Sequence, residues 1–218
     1  MRNQELKGII FDMDGVLLHS SPIHERAFRD ALADLPVRKF EYASVAGMRT
    51  DEALRAILTQ NEIPHSGELV ASLAAAKTRQ AREAIARDNP VDPQCGAVLE
   101  RLAGKYVLAL ASSASAATVD LFVDRNAVRE RFSCILNGSD VHCAKPAPDI
   151  YELACRRLGL PPSVCLIVED AVSGVRAGKS AGAAVWGLAS TCSANELEQA
   201  GADRVLDSLG DLVTALET

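Results

Sequence analysis

Hydrophobic and polar positions divide the chain into two parts with different periodicity. Between residues 20 and 89 the apolar side chains recur at the spacing of amphipathic helices, and no run of residues indicates a strand. Helices are predicted at residues 22–35, 51–60 and 66–87, with Thr50 as the N-cap of the second. This part of the sequence therefore predicts a bundle of helices.

From residue 92 onward, short apolar runs alternate with amphipathic segments. The apolar runs predict strands at residues 106–111, 134–136, 164–168, 183–188 and 204–206. The segments between and after them predict helices at residues 93–103, 116–126, 148–158, 173–181, 194–200 and 209–216. Alternation of strands and helices with short connections is typical of a parallel sheet that is covered by helices on both faces.

The apolar run Gly8–Phe11 has the composition of a buried strand, although the chain after it enters the helical part. The simplest arrangement places this strand in the sheet and inserts the bundle after it. The predicted fold class is therefore α/β, a doubly wound parallel sheet of Rossmann-like type with an inserted α-helical cap domain. The core is predicted to comprise residues 1–15 and 93–218, and the cap residues 16–92.

Composition and charge narrow the classes of function. The 218 residues are 48% hydrophobic and 24% charged, a mixture that can bury a core. No apolar run approaches the roughly 18–20 residues of a membrane helix, and the apolar stretch near the start is too short for a signal peptide. We therefore expect a soluble cytoplasmic protein without a membrane partner. The net charge of −6, with no basic stripe, argues against nucleic acid as a partner.

The six cysteines do not indicate disulfides, because none forms a CxxC pair and the chain is long enough to fold without cross-links. Buried thiols are expected, most clearly at Cys155 in a helical pattern and at Cys165 in an apolar run. The oligomeric state cannot be inferred from the sequence.

The first cluster of polar residues that are candidates for a chemical function follows the strand Gly8–Phe11. Asp12 and Asp14 are two residues apart on an extended segment, so both carboxylates face the same side. Clustered carboxylates suit Mg²⁺, and Gly15 allows the chain to turn away. The alternative is an ordinary turn at Asp14 and Gly15, with Asp12 as a helix cap.

Three more clusters are predicted at the carboxyl ends of strands, where α/β sheets bind ligands. Ser112 and Ser113 offer hydroxyl and N–H groups for an anion, Lys145 offers a point charge for a phosphate oxygen, and Glu169 with Asp170 suits a metal. The alternatives are a serine N-cap, a solvated lysine and an acidic helix N-terminus.

In their order along the chain, these clusters resemble the four motifs of the haloacid dehalogenase superfamily. The first is Asp12-Met13-Asp14-Gly15-Val16, the second Ser112, the third Lys145 within Lys-Pro-Ala-Pro-Asp, and the fourth Glu169-Asp170 with Gly174. The resemblance covers essentially the whole chain. It is closest to the branch with a helical cap after the first strand, which contains β-phosphoglucomutase and many small-molecule phosphatases.

The resemblance implies a role for each motif residue. Asp12 would be the nucleophile that forms an aspartyl-phosphate, and Asp14 the general acid and base. Mg²⁺ would be the cofactor. Its ligands would be Asp12, the main-chain carbonyl of Asp14 and Asp170, with Glu169 as an extra or indirect ligand. Ser112, the N–H of Ser113 and Lys145 would hold the phosphoryl group.

The predicted function is a phosphatase acting on a small phosphorylated metabolite, with His24, Arg49 and Lys77 of the cap shaping the substrate. A β-phosphoglucomutase-like mutase is the main alternative. Two departures weaken it, because Thr50 and Ser115 stand where the mutase pattern has an arginine and a lysine, and a mutase must hold a second phosphate. A shift of one residue in register would let Arg49 hold that phosphate, so the alternative stays open. A non-catalytic binding module on the same fold is a further alternative.

Overall fold

The computed structural model describes residues 5–217, which fold around a six-stranded sheet. The strands are β1 (Gly8–Phe11), β2 (Val107–Ala111), β3 (Cys134–Leu136), β4 (Cys165–Glu169), β5 (Ala184–Leu188) and β6 (Arg204–Leu206). Their order is β3-β2-β1-β4-β5-β6, and every neighbouring pair is parallel. This confirms the predicted doubly wound α/β class.

Nine α-helices accompany the sheet within residues 5–217. They are α1 (Ser21–Ala31), α2 (Thr50–Gln60), α3 (Gly67–Asp88), α4 (Cys95–Ala103), α5 (Ala116–Arg125), α6 (Asp149–Leu158), α7 (Val172–Ser180), α8 (Ala194–Ala200) and α9 (Leu209–Glu217). Short 3₁₀ turns at Tyr42–Ser44, Arg129–Arg131 and Pro162–Val164 were not predicted.

The sheet is buried on both faces, which explains why its central strands are continuous apolar runs. In β1, Ile9 and Phe11 join one hydrophobic cluster with residues of α4, α5 and α9, whereas Ile10 joins the opposite cluster with residues of α6, α7 and α8. Successive side chains of a strand point to opposite faces, so a strand buried on both faces needs apolar residues at every position.

Helices α1, α2 and α3 pack around a hydrophobic core of their own, away from the sheet. This cluster includes Phe28, Leu54, Ile57 and Leu58, which are almost completely buried. A separate core is what a folded unit inserted into the sheet domain requires.

Two chain segments connect this bundle to the sheet, and they run side by side. The N–H of His19 donates to the carbonyl of Pro90 at 2.7 Å, and the N–H of Asp92 donates to the carbonyl of Leu17 at 3.0 Å. These crossings lie near residues 16 and 92, the predicted limits of the cap. The division into residues 1–15 with 93–218 and residues 16–92 stays a prediction, and residues 1–4 and 218 lie outside the described range.

Several predicted boundaries need correction. Helix α1 ends at Ala31 and not at residue 35, and the chain continues in turns, with the N–H of Ala33 donating to the carbonyl of Asp30 and that of Leu35 to the carbonyl of Leu32. Pro36 then disfavours the helical conformation at residue 35. Thr50 is the first residue of α2, and the N-cap is Arg49, whose backbone is extended with ψ of 141°. Strand β4 is shifted by one residue and ends at Glu169, which is buried.

Two predictions made from composition, on membrane helices and on cysteines, can be compared with the structure. No helix within residues 5–217 is long and apolar enough to span a bilayer. The six cysteines are all free thiols, and Cys155 and Cys165 are buried as expected, whereas Cys143 is exposed.

Candidate active site

The candidate site lies where the strand order reverses, between β1 and β4. Parallel pairing aligns Phe11 with Leu110 of β2 and with Val168 of β4. Asp12 therefore leaves β1 beside the ends of β2 and β4, and the last residue of β4 is Glu169. The sheet thus brings the first and fourth polar clusters together at the edge where α/β sheets bind ligands.

Lys145 links these two strand ends from the loop that follows β3. Its Nζ donates to Asp12 Oδ1 at 2.6 Å and to Glu169 Oε1 at 2.8 Å. The side chain is completely buried, and Nζ lies 4.8 Å from the centre of the Tyr151 ring. Burial lowers the pKa of Lys145, but the two carboxylates outweigh this effect and hold that pKa well above its usual value. Lys145 is therefore a charged ammonium group.

Three buried carboxylates, those of Asp12, Glu169 and Asp170, form an acidic cluster beside Lys145. Their ligand oxygens lie within 4.8 Å of one another. Burial raises the pKa of Asp12 to about 7, against the opposing effect of Lys145. Burial and the two neighbouring acids raise the pKa of Asp170 well above its usual range. The raised pKa values mean that the negative charge of the cluster is incompletely compensated.

The charges of the whole site fit a divalent cation. The buried or partly buried acidic and basic groups of the site, counted in their charged forms, are four carboxylates and two ammonium groups: Asp12, Asp14, Glu169, Asp170, Lys77 and Lys145. An excess of two negative charges remains, and clustered carboxylate oxygens are the ligands that Mg²⁺ prefers. The residues present are thus compatible with the predicted cofactor.

Glu169 has little capacity left for a metal. Its Oε1 accepts hydrogen bonds from Lys145 and from the hydroxyl of Tyr151, and its Oε2 accepts from the N–H groups of Asp170 and Ala171. A carboxylate offers about four lone-pair sites, and four donors occupy them. This favours the indirect role, in which Glu169 orients Lys145 and the loop after β4.

Gly15 lets the loop after β1 approach the acidic cluster closely. Its φ is +82°, and a Cβ at this position would lie 1.8 Å from Asp170 Oδ2. Both the conformation and the lack of space therefore require glycine. The glycine that the sequence associates with a turn packs directly against a predicted metal ligand.

Asp14 is held by side chains that follow the first motif and by the cap. Its Oδ1 accepts a hydrogen bond from Ser20 Oγ at 2.6 Å and lies 2.9 Å from His24 Nε2. Lys77 Nζ lies 2.9 Å from the other ring nitrogen, His24 Nδ1. Since an ammonium group only donates, Nδ1 accepts, and Nε2 carries the hydrogen that it donates to Asp14. Lys77, His24 and Asp14 thus form a directed chain of hydrogen bonds.

This chain keeps Asp14 ionised. Burial raises its pKa, but His24, Ser20 and Lys77 together outweigh burial and bring the pKa to about 2. Burial lowers the pKa of Lys77 to about 8, against the attraction of Asp14. The ionised carboxylate is the form that accepts a proton. A phosphoryl group beside it adds negative charge and raises the pKa toward the form that donates one.

Ser112 and Ser113 follow β2 and line the same cavity as Asp12. Ser112 is completely buried, and its Oγ accepts from the N–H of Ala114 at 3.0 Å. Helix α5 begins at Ala116, with Ser115 as its N-cap, so neither serine is an ordinary N-cap. That alternative is wrong, and the position of both serines at the cavity suits an anion.

The predicted specificity residues fall into two groups. His24 and Lys77 line the cavity over the acidic cluster and reach Asp14. Arg49 lies apart, at the N-terminus of α2, where its Nε is 2.7 Å from Asp51 Oδ1 and its Nη2 is 3.1 Å from Glu52 Oε1. It lines an outer cavity next to the first one.

Two tyrosines of the site carry no signal in the sequence. The ring of Tyr42, between α1 and α2, stacks on His24 with 6.5 Å between ring centres. Burial raises its pKa well above the usual value, and the nearby carboxylates of Asp14 and Asp170 add to this shift. Tyr151 stands in a helical pattern like any core residue. Only its contact with Glu169 identifies it as part of the site.

Fold and site define a class of enzyme: a doubly wound α/β hydrolase with an acidic site, a buried lysine and helices above the strand ends. A model of the haloacid dehalogenase-like hydrolase family matches residues 6–182. The chain belongs to this family. Its relatives include proteins named as phosphatases and one named as a β-phosphoglucomutase.

Two relatives and one solved structure illustrate the likeness. Fructose-1-phosphate phosphatase YqaB of Escherichia coli K12 is 29% identical over 181 residues, which cover 80% of this chain and 92% of that protein. A probable pseudouridine-5'-phosphatase of Drosophila melanogaster is 34% identical, covering 97% and 94%. The crystal structure of CbbY from Rhodobacter sphaeroides in complex with phosphate has a TM-score of 0.81 and 30% identity, covering 98% of this chain and 100% of that one.

Proposed function

We propose that the protein is a Mg²⁺-dependent phosphatase that hydrolyses a small phosphorylated metabolite, such as a sugar phosphate, through an aspartyl-phosphate on Asp12. The position of Asp12 is the main observation that supports the proposal. One of its carboxylate oxygens is held by Lys145 at 2.6 Å, and the residue opens into a cavity that Asp14 and Ser112 also line. A nucleophile, an acid–base group and anion donors therefore surround one space.

In the first step a carboxylate oxygen of Asp12 attacks phosphorus, and the bond from phosphorus to the leaving oxygen breaks. Asp14, which takes up a proton when the bound phosphoryl group raises its pKa, donates that proton to the leaving oxygen. In the second step Asp14 accepts a proton from a water molecule, whose oxygen attacks phosphorus. The bond to Asp12 then breaks, and inorganic phosphate leaves.

Charge neutralisation accompanies both steps. Lys145 and the hydroxyl of Ser112 bind the oxygens of the transferred group. Asp12, Asp170 and the main-chain carbonyl of Asp14 would hold Mg²⁺. When bound, this ion would supply positive charge that offsets the negative charge of the transferred group. His24 and Lys77 keep Asp14 in place for its two proton transfers.

Known activities of the relatives support a phosphomonoester as substrate, since fructose 1-phosphate and pseudouridine 5'-phosphate are both phosphomonoesters. A β-phosphoglucomutase of Bacillus subtilis is also a relative, 29% identical over 97% of this chain, but the residues around the cavity do not favour the mutase alternative. A mutase must hold a second phosphate, but Thr50 and Ser115 are neutral and Arg49 is paired with two acids.

A panel of phosphorylated metabolites tests the function. Release of inorganic phosphate is measured with Mg²⁺ and with EDTA, beside an assay for isomerisation of β-glucose 1-phosphate. We expect phosphate release that depends on Mg²⁺. Isomerisation without phosphate release, in the presence of a bisphosphate activator, would instead establish the mutase.

Mg²⁺ is also expected to raise the melting temperature of the protein, because an ion that binds only the folded state stabilises it. At a Mg²⁺ concentration 100 times the dissociation constant, this stabilisation is about 2.7 kcal/mol. Asp170→Asn should remove most of the shift, whereas Asp211→Asn, an exposed site on α9, should leave it intact. An equal Mg²⁺ shift in wild type and Asp170→Asn would show that the ion binds elsewhere.

Lys77→Met is expected to lower kcat by roughly 10- to 100-fold with a smaller change in KM, within the usual range for acid–base catalysis. Without the ammonium group, His24 loses the donor that fixes its tautomer, and Asp14 loses its alignment. Arg79→Met is the matched control, since Arg79 lies exposed on the same helix. A pure KM effect would show that Lys77 binds substrate and does not position Asp14.

A further inference from the structure

Two connected cavities extend from Asp12 toward solvent. The inner one, over Asp12 and Asp14, has a volume of about 60 Å³. It shares Thr50, Thr78 and Ser113 with an outer cavity of about 460 Å³. The inner cavity has room for only about four water molecules, whereas the volume of the outer one lies in the range of small-ligand sites. The part of a substrate beyond its phosphoryl group therefore belongs in the outer cavity.

Hydroxyl and apolar side chains make up most of the outer cavity lining. The hydroxyl-bearing residues are Thr50, Thr78, Ser113, Ser115 and Ser139, and the apolar ones are Ala74, Ala114 and Val141. Hydroxyl groups both donate and accept hydrogen bonds. Such a lining suits an uncharged, hydroxylated ligand.

Arg49 is the cation of this lining, and all three of its guanidinium nitrogens are engaged. Nε contacts Asp51 Oδ1 at 2.7 Å, Nη2 contacts Glu52 Oε1 at 3.1 Å, and Nη1 donates to the carbonyl of His142 at 3.2 Å. Two carboxylates therefore face one guanidinium group, that of Asp51 in the cavity lining and that of Glu52 on the next residue, and together they compensate the charge of Arg49. A second phosphate there would have to displace both acids from Arg49.

Lys77 is the cation of the inner lining, and it is engaged as well. Its Nζ donates to His24 Nδ1 and lies 4.4 Å from the centre of the Phe28 ring. His24 in turn is hydrogen-bonded to Asp14, whose negative charge balances that of the ammonium group. Among the described residues that line the two cavities, Arg49 and Lys77 are the arginine and lysine side chains; Arg49 is paired with two acids, and Lys77 is hydrogen-bonded to His24, which in turn contacts Asp14.

We propose that Asp51 and Glu52 are specificity-determining residues that exclude a second anionic group from the outer cavity, so that the substrate is a monophosphate with an uncharged, hydroxylated remainder. The inference rests on the proposed phosphatase function and names the substrate class of that site. Asp51 and Glu52 act through Arg49, because they occupy the guanidinium group that would otherwise bind a second phosphate. Rejection of a ligand by placed charge is an established route to specificity.

Binding to the Asp12→Asn protein tests the inference without turnover. Calorimetry with Mg²⁺ present gives dissociation constants for three matched pairs: fructose 1-phosphate with fructose 1,6-bisphosphate, glucose 1-phosphate with glucose 1,6-bisphosphate, and ribulose 5-phosphate with ribulose 1,5-bisphosphate. We expect at least one pair to bind, with the monophosphate at least ten-fold tighter. Tighter binding of a bisphosphate, or no binding by any monophosphate, would overturn the inference.

Charge variants then identify the residues responsible. The double variant Asp51→Asn with Glu52→Gln should shift the ratio of the two dissociation constants by at least ten-fold toward the bisphosphate. Adding Arg49→Gln should cancel that shift, because the released guanidinium group is its cause. An unchanged ratio in the double variant, or a shift that survives Arg49→Gln, would contradict the assignment.

A matched control on α5 separates local from overall charge. Asp120 and Asp124 pair with Arg129, each at 2.7 Å, on the exposed surface. The variant Asp120→Asn with Asp124→Asn removes the same charge and also frees an arginine, and we expect no shift in the ratio. An equal shift in this control would overturn the inference, since net charge alone would then explain the effect.

The failure of the two proposals can be told apart. If wild type with Mg²⁺ releases no phosphate from any of the six ligands or from p-nitrophenyl phosphate, the proposed phosphatase function fails. If it releases phosphate but prefers the bisphosphate of a pair, the function stands and only the role of Asp51 and Glu52 fails.

Discussion

Asp12→Asn is expected to abolish phosphate release, with kcat lowered by about 10⁴-fold or more, the scale on which loss of a nucleophile acts. The amide has nearly the volume of the carboxylate, and its oxygen can still accept a hydrogen bond from Lys145. It is not an effective nucleophile toward phosphorus, however, so no aspartyl-phosphate forms. Phosphate release with saturating substrate and Mg²⁺ measures the loss.

Asp207→Asn serves as the control, since this exposed aspartate lies between β6 and α9, and it should retain wild-type activity. The loss in Asp12→Asn should not reflect unfolding. Without Mg²⁺, the substitution removes one of three clustered negative charges, so its melting temperature in EDTA should equal or exceed that of wild type. More than about 1% of wild-type kcat in Asp12→Asn would rule out Asp12 as the nucleophile.

The strands of the sheet could be predicted because burial on both faces leaves a signal within a short stretch of sequence. The run Cys165–Glu169 and the run Gly8–Phe11 are buried at every position, and only strands covered on both faces need such continuous apolar sequence. Element ends were less predictable. Helix α1 ends at Ala31 with a turn at residues 32–34, and α2 begins after the extended backbone of Arg49, and the apolar spacing indicates neither change.

The catalytic cluster was predictable in its members but not in its pairing. Asp12, Lys145 and Asp170 were singled out because polar residues at strand ends meet at one edge of a sheet. The sequence does not show that Lys145, 133 residues from Asp12, contacts it at 2.6 Å, or that one oxygen of Glu169 accepts from both Lys145 and Tyr151. Such contacts depend on the packing of side chains from distant elements.

In the proposed mechanism the cap residues His24 and Lys77 orient the acid–base group Asp14, through contacts that the sequence did not indicate. Lys77 and His24 are 53 residues apart and meet because α3 packs against α1. The cap also contacts the sheet loops, where Ser113 Oγ donates to the carbonyl of Gly47 and Ser173 Oγ donates to the carbonyl of Ala46, each at 2.6 Å. Opening the cap would break these contacts and the alignment of Asp14 together.

Lys145→Met is expected to cause the largest combined loss of stability and activity. Methionine fills a similar volume, but Asp12 and Glu169 would lose the ammonium group between them in a fully buried site. Removing one partner of a buried ion pair costs about 3–5 kcal/mol. Urea unfolding measures this cost. Lys179→Met, which removes an exposed pair with Asp203, should cost no more than about 1 kcal/mol.

A second substitution separates the structural role of Lys145 from its catalytic role. In Lys145→Met with Glu169→Gln, the glutamine carries no charge that needs compensation, and its oxygen can still accept from Tyr151. We therefore expect a large part of the stability to return, while kcat remains at least about 100-fold below wild type, since no cation replaces Lys145 beside the transferred phosphoryl group. If activity returned together with stability, Lys145 would serve only to neutralise Glu169. The cation that stabilises the phosphoryl group would then have to be sought elsewhere in the site.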